Sequence, residues 1–441
     1  VQLAANNALN RIVLDDGDNT SNPASVVFPT GGLSAVNTLR IGDTVATLVG
    51  VLDYGFGDFR VIPTQEPSFV ATNLRSASPD LNLGNLTVAS ANVLNLFNGN
   101  GQGAGFPTSR GADNEAEYER QLAKTVAALV AIDADIIGLM EIENDGFADT
   151  SAIAQLVAAM NLSAGEGTYA FVSGNGTIGT DAIAVGLIYN PSKVTPEGSV
   201  QLNMDSIFNR PPMAQSFTLN SNDQAITVVV NHFKSKGCGG ASGLNADQND
   251  GQACWNELRV NQSNALLNWI ATDATLSAQT DVLIMGDLNA YAKEDPISAI
   301  TNNGYVDLIE QFQGSAGYSY NFGGEVGYLD HALASQSLAE KAVDTIEWHI
   351  NADEPIVLDY NLENKTTQQQ ADFYAADPYR ASDHDPVVMS FDLQAESVVG
   401  DWDGDGDVDV NDIRSLMRAI QVGQEIDLSF DFNNDGVVNI L

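Results

Sequence analysis

The pattern of hydrophobic and polar positions divides the chain into three parts. Residues 1–75 contain short apolar runs of strand length, such as 44–52 and 59–62, which are separated by turns rich in Gly and Asp. No helical period is visible there, so we predict a small all-β domain. Residues 76–85, which include Pro79 and several Asn, are predicted to be a linker.

Between residues 86 and 394, apolar runs of strand length alternate with helical stretches. The clearest helix is predicted over Glu115–Ile132, with Asn114 as its N-cap. Its apolar positions fall on one face, which comprises Tyr118, Leu122, Val126, Leu129 and Val130. Such alternation of strands and helices predicts an α/β domain.

Residues 398–441 form a short, acidic segment with an internal repeat. Its first loop, DWDGDGDVDVND, has the spacing of an EF-hand calcium loop, with Asp401, Asp403, Asp405, Asp407, Asp409 and Asp412 at the ligand positions. A helix is predicted over 413–420. The second copy, DFNNDGVVNIL, stops one residue before the twelfth position, and we expect it to bind Ca²⁺ weakly or not at all. An acidic tail without fixed structure is the alternative.

The net charge of the chain limits how this protein can bind a polyanion. The chain has 58 acidic and 18 basic residues and a formal net charge of −40, which repels nucleic acid at long range. A broad basic binding face is therefore excluded, whereas a small metal-filled cleft that engages one phosphate is not. No apolar run approaches the roughly 18 residues that span a bilayer, so no membrane span is predicted. The start at Val1 is interpreted as that of a mature or trimmed form.

Two cysteines, Cys238 and Cys254, flank a loop rich in Gly, Asn and Asp. A zinc site would need more soft ligands nearby. A disulfide that fixes the loop is favoured if the protein is secreted, and two buried free thiols are the alternative.

Six strand-like runs end beside residues that can ligate a metal or transfer a proton. These residues are Asn92, Glu141, His232, Asp287 with Asn289, Asp330 with His331, and Asp383 with His384. A single Asn or Asp after a strand is usually a turn residue. Six together, with three of the four histidines of the chain, favour a common site, because ligands of α/β folds gather at strand ends.

The residue types suit phosphoryl chemistry. Asn92, Glu141 and Asp383 offer the oxygen ligands that Mg²⁺ prefers, and a bound metal polarises a phosphoryl oxygen. Histidine can orient or deprotonate water near neutral pH, and a carboxylate commonly fixes its tautomer.

The motifs ASANVLNLF, GLMEIEN, NHFKSK, MGDLNAY, GYLDHAL and ASDHDPVV, in this order, resemble the endonuclease/exonuclease/phosphatase superfamily. Further stretches, RPPMAQSF, DGQACW, NAYAKEDPI and HINADEPIVLDYN, are similar to its large secreted bacterial nucleases. The resemblance covers residues 86–394 and implies a four-layer α-β-β-α sandwich with the active cleft at one edge of the sheets. The segment 1–75 resembles the OB-fold-like module that precedes the catalytic domain in such nucleases, and the C-terminal repeat resembles a dockerin-type calcium module.

The resemblance also implies a role for individual residues. It assigns metal ligation to Asn92, Glu141 and Asp383, positioning of water and phosphate to Asp287 and Asn289, catalysis to His384 with Asp330 as its orienting group, phosphate contact to His232, orientation of His232 to Asp181, and binding of the phosphate backbone to Arg210. Lys234, Lys236 and Arg259 are expected to add positive charge near the cleft, or else to be ordinary surface residues. Tyr54, Phe56 and Phe59 could stack on bases, with a place in the barrel core as the alternative.

These patterns predict a secreted, extracellular and monomeric nuclease that hydrolyses DNA with Mg²⁺ or Mn²⁺ and leaves 5′-phosphate ends. Whether RNA is also cut stays open. Ca²⁺ is expected at the C-terminal loop, which we expect to dock on a calcium-dependent protein partner, and Ca²⁺ could also activate catalysis. One alternative is a phosphatase or sphingomyelinase-like phosphodiesterase of the same superfamily. Another is a calcium-dependent matrix-binding protein without activity.

Overall fold

The computed structural model describes residues 2–174, 176–394 and 410–422. The chain divides into one unit of Val1–Ser221 with Ala225–Leu393 and a second of Asn222–Gln224 with Gln394–Leu441. Among the described residues, no helix has the length and apolar character needed to cross a membrane.

The N-terminal segment has little regular structure. Its elements are α1 (Gln2–Leu9), β1 (Val13–Leu14), β2 (Thr44–Val45), β3 (Gly50–Gly55), β4 (Asp58–Pro63) and β5 (Phe69–Val70). They form a three-stranded sheet in the order β1-β4-β3 and a separate β2-β5 pair. The described strands do not close into a barrel, because three of the five are only two residues long. The short helix α1 also departs from the all-β expectation.

The aromatic residues of the β3–β4 hairpin lie on the surface rather than in a core. Phe56 is 92% exposed, and Tyr54 and Phe59 are 61% and 58% exposed. The rings of Tyr54 and Phe59 contact each other at 4.9 Å between centroids, and the guanidinium of Arg60 lies 5.1 Å from the ring of Phe56. The alternative of a barrel core for these residues is therefore wrong.

Two six-stranded sheets form the next part of the chain. Its first half contains β6 (Leu86–Leu96), α2 (Glu115–Ile132), β7 (Ile136–Glu143), α3 (Ala152–Ala164), β8 (Ala170–Phe171), β9 (Ile183–Tyr189), β10 (Val194–Leu202), β11 (Met213–Leu219) and β12 (Ala225–His232). Its second half contains α4 (Asn256–Thr272), β13 (Val282–Asp287), α5 (Asp295–Thr301), β14 (Tyr305–Asp307), α6 (Leu308–Gln313), β15 (Tyr320–Phe322), β16 (Glu325–Gly327), β17 (Asp330–Ser335), α7 (Gln336–Ala339), β18 (Ala342–Glu347), α8 (Thr367–Asp372) and β19 (Val387–Phe391). The first sheet has the order β18-β19-β6-β7-β9-β8, and the second has the order β10-β11-β12-β13-β17-β14.

The two sheets pack face to face. In β13, Leu283 and Met285 join the core between the sheets, whereas Val282 and Ile284 face a second apolar cluster with Leu266 of α4. A strand that is apolar on both faces is typical of a sheet covered on both sides. At Gly138 of β7, a Cβ atom would lie 2.3 Å from Cε of Met285 and 2.9 Å from Cγ2 of Val230, so a larger residue there would require these side chains of the second sheet to shift.

Helices α2 and α3 contact β6 and β7 of the first sheet, and α4 and α5 cover the second sheet through the outer cluster. The layers are thus α-β-β-α, and the α/β prediction is confirmed. Helix α2 has the predicted bounds, and the Asn114 side chain accepts a hydrogen bond from the backbone of Glu117 at its N-terminus.

The N-terminal segment is joined to the sandwich by buried ion pairs. Arg40 donates to Glu354 over 2.7 Å and to Asp353 over 3.1 Å, and Arg75 also pairs with Glu354. Residues 76–85, predicted to be a linker, contact the sandwich as well, since Trp348 donates from Nε1 to Ser76 over 2.8 Å.

The second unit contains helix α9 (Val410–Val422), which confirms the helix predicted over 413–420. Asp412 lies in its first turn and is buried. Other ligand positions predicted for the calcium loops, including Asp401, Asp403, Asp405 and Asp407, lie outside the described residues.

Candidate active site

Strand register brings three of the predicted residues into one row. In the second sheet, His232 of β12 pairs with Asp287 of β13, and Asp287 pairs with Asp330 of β17. The atom Nε2 of His232 lies 3.5 Å from Oδ2 of Asp287. All three side chains are almost fully buried. A row of this kind arises because the three strands end or begin at the same edge of the sheet.

Irregular backbone places the matching residues of the first sheet. The ladder between β6 and β7 shifts register after Asn92, and Glu141 has a left-handed backbone with φ of 66°. Bulges of this kind re-aim side chains at functional sites. Oε1 of Glu141 lies 3.9 Å from Nε2 of His232, across the gap between the two sheets. Gly286 is required beside Asp287, because a Cβ atom there would lie 2.1 Å from the carbonyl of Asn231.

His384 joins this row from the loop before β19. Its Nδ1 atom lies 2.7 Å from Oδ2 of Asp330, and the ring of Tyr320 packs against it at 4.6 Å between centroids. Single ligand atoms of Asp287, Asp330 and His384 lie within 4.8 Å of one another, as do those of Glu141, His232 and Asp287. The structure therefore brings both predicted histidines and their carboxylates to a single place.

The two histidines have opposite electrostatic surroundings. Burial lowers the pKa of His232 well below its usual value, and the positive charges of Arg210 and His384 lower it further. Burial also lowers the pKa of His384, but Asp330, Asp383 and Asp287 outweigh that effect and raise it well above the usual value. Near neutral pH, His232 is thus neutral and His384 is an imidazolium.

The carboxylates of the site are desolvated. Burial raises the pKa of Asp287 to about 7. Burial also raises the pKa of Glu141, and the negative charge of Asp383 raises it further. A buried carboxylate with a raised pKa is unfavourable in its ionised form, and a bound cation stabilises that form. The oxygen-rich set around Glu141 is the donor chemistry that a hard divalent cation prefers, so these residues fit a magnesium-type ion.

The remaining predicted ligands surround this centre. Asn92 is buried, its Oδ1 accepts from the backbone of Leu94, and its side chain also interacts with the carboxylate of Glu141. Asn289 donates from its backbone to Asp287 over 2.8 Å and from Nδ2 to the carbonyl of Phe233 over 3.2 Å. Asp383 is half-buried and interacts electrostatically with Glu141 and His384.

Asp181 does not have the contact that was expected, and Arg210 takes its place. Asp181 pairs with Arg110 at 2.7 Å and with Arg210 at 3.7 Å, and no contact joins it to His232 in the described structure. Arg210 is buried and donates to the carbonyls of His232 and Phe233. The structure therefore shows Arg210, not Asp181, holding the backbone at His232. The guanidinium thus supports the site from within, and binding of the phosphate backbone by Arg210 stays a prediction.

Arg259 is likewise structural. It is fully buried on α4 and donates to the carbonyls of Lys234, Gln252 and Cys254. The expected positive charge near the substrate is thus inside the protein, below the loop that the disulfide closes. Cys238 and Cys254 do form that disulfide, which confirms the favoured pairing. The ammonium of Lys234 lies 5.2 Å from the ring of Trp255, and that of Lys236 pairs with Glu294.

Two residues that the sequence did not identify, Ser319 and Asn351, hold Asp330 and the segment 382–384 in place. The Ser319 hydroxyl donates to Asp330 over 2.6 Å and accepts from the backbone of Leu329. Asn351 donates from Nδ2 to the carbonyl of His384 over 2.6 Å and accepts from the backbone of Ser382. His331, by contrast, is fully buried beside Ala290 and takes no part in the site.

Two cavities flank the site and share Tyr320 as a wall. One of about 650 Å³ includes Asn289, Tyr291 and Phe322 in its lining. The other, of about 460 Å³, includes Asp383 and Arg380. A larger cavity of about 840 Å³ is lined by residues at the opposite ends of β6 and β7, including Asn85 and Asp135, and by none of the site residues.

Comparison with known families agrees with this fold and site. Residues 89–384, more than half of the chain, match the Endonuclease/Exonuclease/phosphatase family, and the chain belongs to that family. Its members are hydrolases that act on phosphate esters and diesters with a divalent cation. Residues 2–74 match a family described as a domain of unknown function.

Among curated proteins, the chain is 33% identical over 98 residues to the long isoform of an ulvan lyase from Glaciecola sp. (strain KUL10). The match covers 22% of this chain and 10% of that protein, so the chain spans about a tenth of that relative.

Solved structures with similar folds include the human Nocturnin catalytic domain with bound sulfate, at 12% identity and a TM-score of 0.45, covering 71% of this chain and 97% of that one. A mannosyl-6-phosphatase of Bacteroides thetaiotaomicron is 14% identical, with a TM-score of 0.40 and coverage of 69% and 98%. D. rerio TDP2 complexed with a single-strand DNA product is 15% identical, with a TM-score of 0.38 and coverage of 71% and 100%.

Proposed function

We propose that this protein is a secreted, metal-dependent nuclease that hydrolyses phosphodiester bonds of extracellular DNA. The observation that carries the proposal is the convergence of His232, Asp287 and His384 with Glu141 at one edge of two packed sheets. Family membership gives the class of reaction, and the shape and charge of the site favour a diester in a strand.

The charged histidine suits stabilisation of the transition state. Since Nδ1 of His384 faces Asp330, we assign the proton on Nδ1 to that hydrogen bond, which leaves Nε2 to face the substrate. An imidazolium held in this way offers positive charge where negative charge develops on the phosphoryl oxygens. Asp330 thus fixes both the orientation and the charge of the ring.

The other two groups suit activation of water. With a pKa of about 7, Asp287 is basic enough to accept a proton from an attacking water. Neutral His232 can donate a hydrogen bond to a phosphoryl oxygen. Asn289, whose backbone binds Asp287, keeps that carboxylate in place. In-line attack by the water would then break the bond to the 3′-oxygen and leave a 5′-phosphate.

A divalent cation would be held by Glu141, with Asn92 and Asp383 as further oxygen donors. When bound, it supplies Lewis-acid polarisation of the phosphoryl group and stabilises the leaving oxyanion. We propose Mg²⁺ or Mn²⁺ there on the oxygen-rich donor set.

Several features support a polymeric, extracellular substrate. Cavities on both sides of Tyr320 leave room for a chain to continue past the scissile bond in either direction. The disulfide favours an oxidising compartment. The rings of Tyr54, Phe56 and Phe59 keep exposed surface on which bases could stack. We further propose that the C-terminal loop binds Ca²⁺ and docks on a protein partner.

A substrate panel tests the proposal. It compares supercoiled plasmid, linear duplex, single-stranded DNA, RNA, sphingomyelin and a mononucleotide, each with Mg²⁺, with Mn²⁺, with Ca²⁺ and with EDTA. We expect cleavage of DNA that EDTA abolishes. Preference for the mononucleotide or for sphingomyelin would instead identify a phosphatase or a sphingomyelinase.

Variants link the activity to the site. Asp287→Ala and His384→Ala are each expected to reduce kcat at least 100-fold, since general acid–base groups contribute about 10²–10⁴-fold. Glu166→Gln, at an exposed carboxylate outside the site, is the control and is expected to keep full activity. Full activity of Asp287→Ala or His384→Ala would contradict the mechanism while leaving the fold intact. A protein inactive on every substrate would support the matrix-binding alternative.

A further inference from the structure

The cavity of about 460 Å³ beside the site is built from two parts of the chain. Residues 39–41 of the N-terminal segment form one side, and residues 352–356 form another. Its lining also includes Tyr320, Arg380 and Asp383. The cavity therefore opens directly beside the candidate catalytic residues, and its volume lies in the ~300–1,000 Å³ range of ligand pockets.

Arg380 is a buried cation that forms no ion pair with the described residues. Arg380 is only 8% exposed, and its Nη1 donates to the carbonyl of Asn351 over 2.8 Å. Its Nε is buried without a hydrogen-bond partner among the described residues. Asp383, Asp359 and Asp385 act on the guanidinium electrostatically, but none of them is hydrogen-bonded to it in the described part of the chain. Burying a guanidinium in this state is costly.

The other arginine of the same cavity shows the contrast. Arg40 is equally buried, but Asp353 and Glu354 neutralise it at 3.1 and 2.7 Å. Two of the three carboxylates of the cavity wall, Asp353 and Glu354, are therefore already paired with Arg40, and only Asp383 is left to face Arg380. Arg380 also has a left-handed backbone with φ of 60°, which a long side chain rarely adopts. Strain of this kind is concentrated at functional sites.

We propose that this cavity is a phosphate subsite, in which Arg380 binds a non-scissile phosphate of the substrate strand. The proposal rests on the function proposed above and names the feature that selects a polynucleotide over a small ester. Five N–H donors in a planar fork match the oxygens of a phosphate, and most of those donors are uncommitted here. The apolar side chains of Leu39 and Ile356 would cover the sugar.

The charge of Asp383 does not remove the need for a ligand. Asp383 interacts electrostatically with Arg380, but burial still lowers the pKa of the guanidinium. Asp383 also faces Glu141 and His384. A cation held by Glu141 and Asp383 would leave Arg380 with less compensation and a greater attraction for an anion.

The test compares two phosphodiester substrates of different length. A short single-stranded oligonucleotide spans the cavity, whereas bis(p-nitrophenyl) phosphate occupies only the scissile position. We expect Arg380→Met to lower the ratio of kcat/KM for the oligonucleotide to kcat/KM for the small diester at least tenfold, mainly through KM. Arg380→Lys should recover part of the ratio. In Arg380→Met, the slope of log kcat/KM for the oligonucleotide against log[NaCl] should change by about one, as for the loss of one phosphate contact.

A second pair of variants avoids the buried position. Ile356 is 72% exposed at the rim of the cavity, and Leu162 is 90% exposed on α3. Ile356→Glu should raise KM for the oligonucleotide by repelling its phosphates, and Leu162→Glu, which adds the same charge elsewhere, should not.

The outcomes separate the two proposals. If Arg380→Met and Ile356→Glu leave the ratio at the wild-type value, whether activity falls on both substrates or on neither, the subsite is wrong and Arg380 is only structural. If the wild-type protein cleaves the small diester but not the oligonucleotide, the nuclease function itself is wrong.

Discussion

The imidazole of His384 and the carboxylate of Asp330 form a buried pair, with 2.7 Å between Nδ1 and Oδ2. The two residues are 54 positions apart and come from a loop and from the start of β17. Asp330 is a principal cause of the raised pKa of His384, because it opposes the effect of burial. The pair therefore sets the charge of the site as well as its geometry.

Replacing Asp330 by Asn should remove this control. We expect Asp330→Asn to lower kcat by about 10²–10⁴-fold, as the loss of an orienting carboxylate does in a catalytic triad. Without the negative charge, the pKa of His384 should fall, because burial would then be opposed only by the remaining carboxylates. The fall of activity at high pH should therefore begin at lower pH, and a kcat profile from pH 5 to 10 measures it. An unchanged profile with normal kcat would show that His384 acts without Asp330.

Ser319 controls Asp330 in turn. Its hydroxyl donates to Oδ2 of Asp330, the same oxygen that binds His384. We expect Ser319→Ala to lower kcat about 10–100-fold, the usual effect of removing a group that orients a site residue. The control is Ser263→Ala, which removes another fully buried hydroxyl, bonded to the carbonyl of Pro296. Both variants should lose about 0.5–1.5 kcal/mol of stability, but only Ser319→Ala should lose activity. Equal kcat in the two variants would contradict the positioning role.

The sequence could predict the residues of the row but not those that hold it. Asp287 and His232 were recognisable because each ends an apolar strand, and parallel register then brings them together. Ser319 lies in a loop with no periodic signal, and its contact with Asp330 depends on the fold of the β15–β16 hairpin. Polar character also says little about burial. Arg259 was expected to add positive charge near the cleft or else to be an exposed arginine, yet it is buried and donates to the backbone of the disulfide loop.

The N-terminal segment was harder to predict for a related reason. Its strands are too short to show a hydrophobic period, and its fold depends on ion pairs with residues far along the chain. The carboxylate of Glu354 accepts from both Arg40 and Arg75, and all three groups are distant in sequence. Ion pairs between distant residues leave no local pattern in a sequence.

Arg40 should matter more for stability than its charge alone suggests. We expect Arg40→Met to cost about 3–5 kcal/mol, because it leaves Asp353 and Glu354 buried with less compensation. The matched control is Arg11→Met, since Arg11 pairs with Asp58 on the surface and its side chain is 61% exposed. That change should cost less than about 1 kcal/mol. Urea unfolding measures both, and similar costs would show that the buried network does not hold the segment.

The disulfide should stabilise the wall of one cavity. It closes a loop with a sequence separation of 16, for which chain entropy gives about 3 kcal/mol. The double change Cys238→Ser and Cys254→Ser should therefore increase proteolysis between residues 239 and 253. Lys236, Gly251 and Ala253 line the larger cavity beside Tyr320, so KM for DNA should rise as well. Reduction of the wild-type protein with dithiothreitol should reproduce both effects, and no change in either would limit the bond to a local role.

Glu347 should make stability depend on pH. The residue is 7% exposed, its Oε1 has no partner among the described residues, and burial raises its pKa to about 8 against the charge of His349. Between its unfolded pKa and this folded value, the native state retains a proton that the unfolded state has lost. Stability from this group is therefore fully present below about pH 4 and falls as the pH rises to about 8.

Glu347→Gln keeps the shape of the side chain and removes that ionisation. Its free energy of unfolding relative to wild type should therefore increase from pH 4.5 to pH 8 and then stay level, with a total change on the order of 2–5 kcal/mol. Urea unfolding at half-unit pH steps measures the difference, which cancels the titration of other groups. Glu340→Gln, at an exposed position on the adjoining turn, should show a difference close to zero throughout. A flat difference for Glu347→Gln would mean that the carboxyl is solvated or paired in the folded protein.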